Sequence, residues 1–262
     1  MSDTEPAGYA EDPLDAPVFA AADSATTGPA AVCRSVVKTY RTATETVTAL
    51  DRVSLEIPRA QVTVVVGPSG SGKSSLLRLL ACIDRPDAGE VLVAGRRVDG
   101  LNARARRRLR QQQVAYLFQR PGENLLPYLD ATAQVQLAAQ LRGARVGADQ
   151  VRDLLERLGL GGRADHVPRQ LSGGEQQRLA VACGVVGDPA LVVADEPTAE
   201  LDTAAAERVL AAMQELARGG VAFVLSSHDP RVMAIADGFV HLDHGERTPS
   251  PPTPRSARGG TL

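Results

Sequence analysis

A nearly continuous β-branched run, Gln61 to Val66, leads straight into Gly67-Pro68-Ser69-Gly70-Ser71-Gly72-Lys73-Ser74. An apolar run of this length reads as a strand buried on both faces. The glycines after it let the backbone curl so that successive N–H groups face an anion. The apolar stretch that follows, roughly Ser74 to Cys82, predicts a helix whose positive end meets the same anion. Strand, G-x-x-x-x-G-K-S loop and helix in that order form a phosphate-binding loop. Lys73 is then placed to reach the β- and γ-phosphates of a nucleoside triphosphate, and the Ser74 hydroxyl to ligate Mg2+. Of 29 basic residues only Lys38 and Lys73 are lysines. A compact ammonium fits between phosphates in a tight loop where a planar guanidinium is too broad.

The rest of the chain reads as α/β. Val53, Leu55 and Ile57 alternate with polar residues, as in a half-buried strand. Leu191 to Ala194 and Val221 to Leu225 read as strands buried on both faces. Ala204 to Arg218 has a helical apolar face and stops at Gly219-Gly220. Val151, Leu154, Leu155 and Leu158 form an i, i+3, i+4, i+7 stripe ended by Gly159. Buried strands alternating with helices imply a mostly parallel sheet with helices on both faces.

Residues 1–30 carry six acidic side chains and no basic one, and are expected to be a disordered acidic tail. Residues 246–262 are proline-rich and are expected to be a second flexible tail. The formal net charge of −2 is therefore an average over an acidic segment and a positive remainder. Near-neutral charge argues against nucleic acid as a partner. Cys33, Cys82 and Cys183 form no paired motif and read as inert thiols in a reducing compartment. The first residues lack a signal-peptide pattern, and the apolar runs are far shorter than the ~20 residues of a membrane span. The expected location is cytoplasmic, with membrane attachment only through a partner.

Two further motifs carry chemistry. Leu191 to Ala194 delivers Asp195 and Glu196 to the carboxyl end of a strand, where ligands bind in open α/β sheets. Asp195 suits the Mg2+ shell, and Glu196 is placed to orient or deprotonate an attacking water. Leu171-Ser172-Gly173-Gly174-Glu175 opens onto a helix from about Gln176 to Ala182. A serine hydroxyl, helix N–H groups and unobstructed glycines make a second anion site.

With that last motif the chain resembles the ATP-binding subunit of an ABC transporter over residues 31–245. The resemblance implies a P-loop NTPase core with a mostly parallel sheet, a small antiparallel β subdomain and an inserted α-helical subdomain at about 119–176. It also implies ATP and Mg2+ as ligands, a second ATP-binding subunit (a homodimer is expected) and a membrane permease on a separate chain. Ser172 to Glu175 would cap the γ-phosphate of ATP held by the other subunit. Gly67 to Ser74, with Ser75 where threonine is common, would hold the phosphates. Tyr40 sits where the family stacks an aromatic ring on adenine. Gln119 matches the glutamine that touches Mg2+ and the attacking water. Asp202, in Thr198-Ala199-Glu200-Leu201-Asp202, matches the acid of the loop that crosses to the other subunit, and His228 the histidine that contacts the γ-phosphate.

The sequence departs from the family in two further places. Cys183 and Gly184 stand where arginine and alanine are usual, and a glycine there predicts a bent or short helix. Ala60-Gln61 replaces Gly-Glu before the first buried strand. Leu125-Leu126-Pro127-Tyr128-Leu129 resembles the group of ATPases for lipoprotein release, macrolide or peptide export, and cell division. The basic run Arg104, Arg106, Arg107, Arg108 and Arg110 reads as a solvated helix face or a surface for lipid phosphates. The implied function is an ATPase that powers a separate export or extraction permease. The alternatives are a transport-independent coupler at the cell-division machinery and an iron–sulfur assembly component.

Overall fold

A computed structural model describes residues 28–41 and 45–248. Both expected tails fall largely outside that range. In chain order the elements are β1 (Ala31–Arg41), β2 (Thr46–Ile57), β3 (Val62–Val66), α1 (Lys73–Leu80), β4 (Ala88–Val93), β5 (Arg96–Arg97), α2 (Ala103–Gln113) and β6 (Val114–Leu117). There follow α3 (Ala131–Arg142), α4 (Ala148–Arg157), α5 (Gly173–Val185), β7 (Leu191–Asp195), α6 (Thr203–Arg218), β8 (Ala222–Ser226), α7 (Pro230–Ala234), β9 (Gly238–Asp243) and β10 (Glu246–Thr248).

The strands form two sheets. One is antiparallel, in the order β2-β1-β4-β5. The other runs β10-β9-β3-β8-β7-β6 and is parallel except for β10. Strand periodicity divides its side chains between two cores. Val62, Val64 and Val66, with Val192, Ala194, Phe223 and Leu225, face the core built from α3, α4, α5 and α6. Val65, Leu191, Val193, Ala222 and Val224 face the core of α1 and the antiparallel sheet. Both faces are covered, so β3, β7 and β8 are apolar except for Thr63 and for Asp195 and Ser226 at their carboxyl ends. The loop after β3 therefore leaves from the middle of the sheet.

One expectation is corrected. The C-terminal tail does not begin at Glu246: residues 246–248 are β10, paired with His241 to Asp243. His244 and Gly245 both have positive φ, which matches the tight two-residue turn that suits a hairpin. The prolines from Pro249 onward lie outside the described residues. Helix α5 runs for 13 residues, Gly173–Val185, and Gly184 is its penultimate residue. A Cβ at Gly184 would lie 3.2 Å from Leu117 Cδ2 and 3.5 Å from Ala115 Cβ. Packing of the helix against β6 offsets the helix-propensity cost of glycine, about 1 kcal/mol.

Ala60 has φ +56°, in the left-handed region. Glycine enters that region freely, whereas an alanine there costs about 1–2 kcal/mol. Cys33 and Cys82 are buried and Cys183 is half-buried. Burial pushes all three thiols up to about 12, which keeps them protonated and unreactive. Arg104, Arg107 and Arg108 lie on the exposed side of α2. No described helix is long and apolar enough to cross a membrane.

Candidate nucleotide site

Parallel pairing sets which residues emerge together at the carboxyl edge of the larger sheet. Asp195 stands opposite Ser226 in the β7–β8 register, and β3 lies on the other side of β8. The chain therefore delivers Gly67, Asp195, Glu196 and His228 to one edge. Gln119 follows the end of β6, which pairs with β7 through Leu117 and Ala194. Gln119 is exposed at that same edge.

The loop from Gly67 to Ser74 is held by close backbone packing. A Cβ on Gly67 would sit 2.1 Å from the Leu242 carbonyl oxygen, and one on Gly72 would sit 2.2 Å from that of Ala49. Ser71 N–H donates to Pro68 O at 3.2 Å, and Gly245 N–H donates to Ser71 O at 3.2 Å. The β9–β10 turn is thus a wall of this loop. Pro68, Ser69 and Gly70 form its outer curve, and Gly70 has open space around its Cβ position.

Helix α1 begins without a side-chain cap. By contrast Asn102, Asp130, Ser172 and Asp202 cap α2, α3, α5 and α6. The first N–H groups of a helix have no helical partner, so those of α1 are open to an anion. Lys73 Nζ donates to the carbonyls of Gly67 and Pro68, each at 2.8 Å. These bonds fold the ammonium back over the loop, where a phosphate would sit.

Ser74 Oγ donates to Asp195 Oδ2 at 2.9 Å. A hydroxyl and a carboxylate side by side at the protein surface are hard oxygen donors that suit Mg2+. The Ser74 oxygen keeps lone pairs for an ion while its hydroxyl proton points at Asp195. No group of three or more His, Cys, Asp or Glu that could hold a metal occurs among the described residues. A Mg2+ here would complete its shell with phosphate oxygens and water, as that ion usually does.

Glu196 has φ +47°. Its N–H is shared between Ser226 O at 3.1 Å and Ser226 Oγ at 3.2 Å. Its carboxylate accepts from Ser227 Oγ at 3.0 Å, and Oε1 lies 4.0 Å from His228 Nε2. The imidazole of His228 is mostly exposed. Beyond it, Asp229 is held well below the usual carboxylate range, chiefly by its bond from Arg231. Sequence reasoning missed Ser226 and Ser227. The available signal was a pair of hydroxyls ending an otherwise apolar strand.

Tyr40 lies beside the first turn of α1, next to Ser75. Its hydroxyl donates to Asp84 Oδ2 at 2.8 Å, and the Arg78 guanidinium grips the same carboxylate at 2.8 and 3.0 Å. The Lys38 ammonium lies 5.2 Å from the Tyr40 ring centre and 3.4 Å from Asp87. Both partners fix the ring's position.

The Ser172–Glu175 turn is elsewhere, against the start of α6. Gly173 faces Leu201, and a Cβ on Gly174 would be 2.7 Å from Ala205 Cβ. No hydrogen bond or ion pair joins this turn to the Gly67–Ser74 loop among the described residues. Asp202 is the α6 cap, accepting from Ala205 N–H at 2.9 Å. The Ser172 N–H and hydroxyl donate to Glu175 Oε2 at 2.8 and 2.9 Å, and Arg163 lies 3.1 Å from Oε1. The Ser172 backbone bond is the chief cause that lowers Glu175 to about 2. A lowered carboxylate stabilises the fold above its ordinary value of 4.5, and that stability is lost as pH falls toward 2. The melting temperature should therefore climb between pH 2 and pH 4.5, with a shallower climb in Glu175→Gln. Equal slopes would show that the capping network carries no such linkage.

The chain is similar to known proteins in sequence and in fold. The ABC transporter family model matches residues 50–199. The lipoprotein-releasing system ATP-binding protein LolD of Shewanella sp. (strain MR-4) is 38% identical over 216 residues. That match covers 81% of this chain and 92% of LolD. The macrolide export ATP-binding/permease protein MacB 2 of Aeromonas hydrophila subsp. hydrophila is 37% identical over 237 residues, covering 87% of this chain. The chain spans only 36% of that MacB's length. Among solved structures, the dimeric post-hydrolysis state of the ATP-binding cassette MJ0796 with ADP and Pi matches with a TM-score of 0.72 and 32% identity. It covers 83% of this chain and 96% of the cassette.

Proposed function

This chain belongs to the ABC transporter family, and on that premise we propose that it is the ATP-hydrolysing subunit that powers a separate membrane permease of the export or lipoprotein-extraction type. One observation carries the reading: the uncapped α1 and its lysine loop share a sheet edge with Asp195, Glu196 and His228, while the Ser172–Glu175 turn, at the start of α5, packs against α6 and makes no hydrogen bond to that loop among the described residues. A second phosphate-binding helix end remote from the first fits a site completed by another subunit.

In this reading two chains close head to tail around two ATP molecules. The Gly67–Ser75 loop and Lys73 bind the phosphates, and Tyr40 stacks on adenine. Ser74, Asp195 and Gln119 would hold Mg2+, whose charge offsets that of the phosphate oxygens. Ser172, Gly173, Gly174 and Glu175 of the second subunit close over the γ-phosphate, and Asp202 lies in the crossing loop. Glu196 takes a proton from water as that water attacks the γ-phosphorus in line. The bond to the β-phosphate oxygen breaks, releasing ADP and phosphate, and His228 steadies the γ-phosphate. Attachment to the inner face of the membrane comes through the permease.

The test is co-expression with a permease, sought first among the genes that neighbour the one for this chain. The expected result is a complex that survives detergent extraction and hydrolyses Mg-ATP faster than the free chain. A chain that neither hydrolyses ATP nor associates with that protein overturns the reading.

A further inference from the structure

We infer that Ser226 and Ser227 are positioning residues for the two acidic groups of the site, and that Ser227 selects which oxygen of Glu196 faces the water. The inference rests on the proposed role of Glu196. Both serines are 0% exposed, where a hydroxyl is costly unless it is bonded. They are consecutive, yet each serves a different acid. Ser226 ends β8 directly opposite Asp195 and donates its proton to Asp195 Oδ1. Ser74 occupies Oδ2 from the open side, so Asp195 is held by a hydroxyl on each oxygen. Ser226 also accepts the N–H of Glu196, through both its carbonyl and its Oγ. That pair of acceptors anchors a backbone with φ +47°, a conformation that needs external support in a non-glycine residue.

Ser227 has one proton to give. Its oxygen already receives the Asp229 N–H at 3.1 Å, so the proton goes to Glu196 Oε2 at 3.0 Å. The terminal torsion of a glutamate is broad and settles only when something holds it. With Oε2 committed to the buried side, Oε1 is the oxygen turned toward His228 and the open edge. This is the geometry a general base requires: one oxygen fixed behind, the other presented to the substrate water.

Kinetics of the full-length protein with Mg-ATP test this. Ser227→Ala should lower kcat roughly 10- to 100-fold, in the range of lost supporting bonds at active sites. The KM for ATP should stay within about twofold, because the Ser227 hydroxyl bonds to Glu196 and Asp229 and not to the phosphate loop. Ser227→Thr keeps the hydroxyl and should recover most of kcat. Ser227→Val has nearly the same volume as threonine without the hydroxyl, and should remain as slow as alanine. In a Glu196→Gln background, Ser227→Ala should add little further loss, since it acts through Glu196.

Wild-type kcat in Ser227→Ala, or equal impairment of the threonine and valine variants, overturns the inference. The second result would assign Ser227 to packing. If the alanine variant does not fold, the threonine–valine comparison decides on its own. Full activity in Glu196→Gln would instead strike at the function proposed above. An inactive Glu196→Gln beside a fully active Ser227→Ala removes only the positioning inference.

Discussion

Glu196→Gln should bind ATP and fail to hydrolyse it. The amide keeps the size of the carboxylate and an acceptor for the Ser227 hydroxyl, so the local fold should survive. It cannot take a proton from water at neutral pH. General-base assistance is worth roughly 10²–10⁴ in rate, and turnover should fall by about that factor. Loss of one negative charge beside the phosphates should at the same time favour the closed, nucleotide-bound state. On gel filtration with Mg-ATP the variant should therefore run as a dimer, whereas the wild type reverts to monomer as ATP is consumed. A variant with near-normal turnover would remove Glu196 from the role of base.

Gly72→Ala should cost both the fold and the nucleotide. Gly72 has φ +99°, and a Cβ there would stand 2.2 Å from the Ala49 carbonyl oxygen and 3.0 Å from Leu50 Cδ2. The obstacle is backbone of β2, which cannot swing aside as a long side chain can. Left-handed strain and overpacking together cost about 3 kcal/mol or more. In a domain of this size that lowers the melting temperature by roughly 6–12 °C. The loop would have to shift away from β2, turning its N–H groups from the anion, so ATP binding should be lost as well. Gly70→Ala is the matched control. Its φ is +79°, but nothing lies within 4 Å of the added Cβ. It should lose only the left-handed strain, about 1–2 kcal/mol, and keep measurable nucleotide binding. Equal damage from the two substitutions would show that close approach to β2 is not what requires glycine at position 72.

The contrast between these glycines shows where sequence reading reaches its limit. Both stand in the same motif, and both were assigned to the same curl. Only the position of β2 separates one that has room from one that has none. The same limit appears at Gly184, read from helix propensity as a weak point. Propensity counts what glycine costs in an isolated helix, but not what β6 gains by the closer approach of α5. At the C-terminus, proline content drew attention to the residues from Pro249 on and obscured the His244-Gly245 turn just before them.

What the sequence determined by itself is local chemistry. The period of apolar residues marked β3, β7 and β8 as buried strands, because alternation and its absence reflect how many faces are covered. The glycine spacing marked the phosphate loop, because backbone curvature depends on the residues that make it. Asp195 and Glu196 could be placed at a strand end for the same reason. Contacts between distant residues were decided by the tertiary structure. Ser226 and Asp195 are 31 residues apart and meet because β8 lies beside β7 in parallel register. Leu242 closes on Gly67 because β9 takes the place next to β3. Sheet order comes from how whole elements share a core, a property of all the side chains together that no motif encodes.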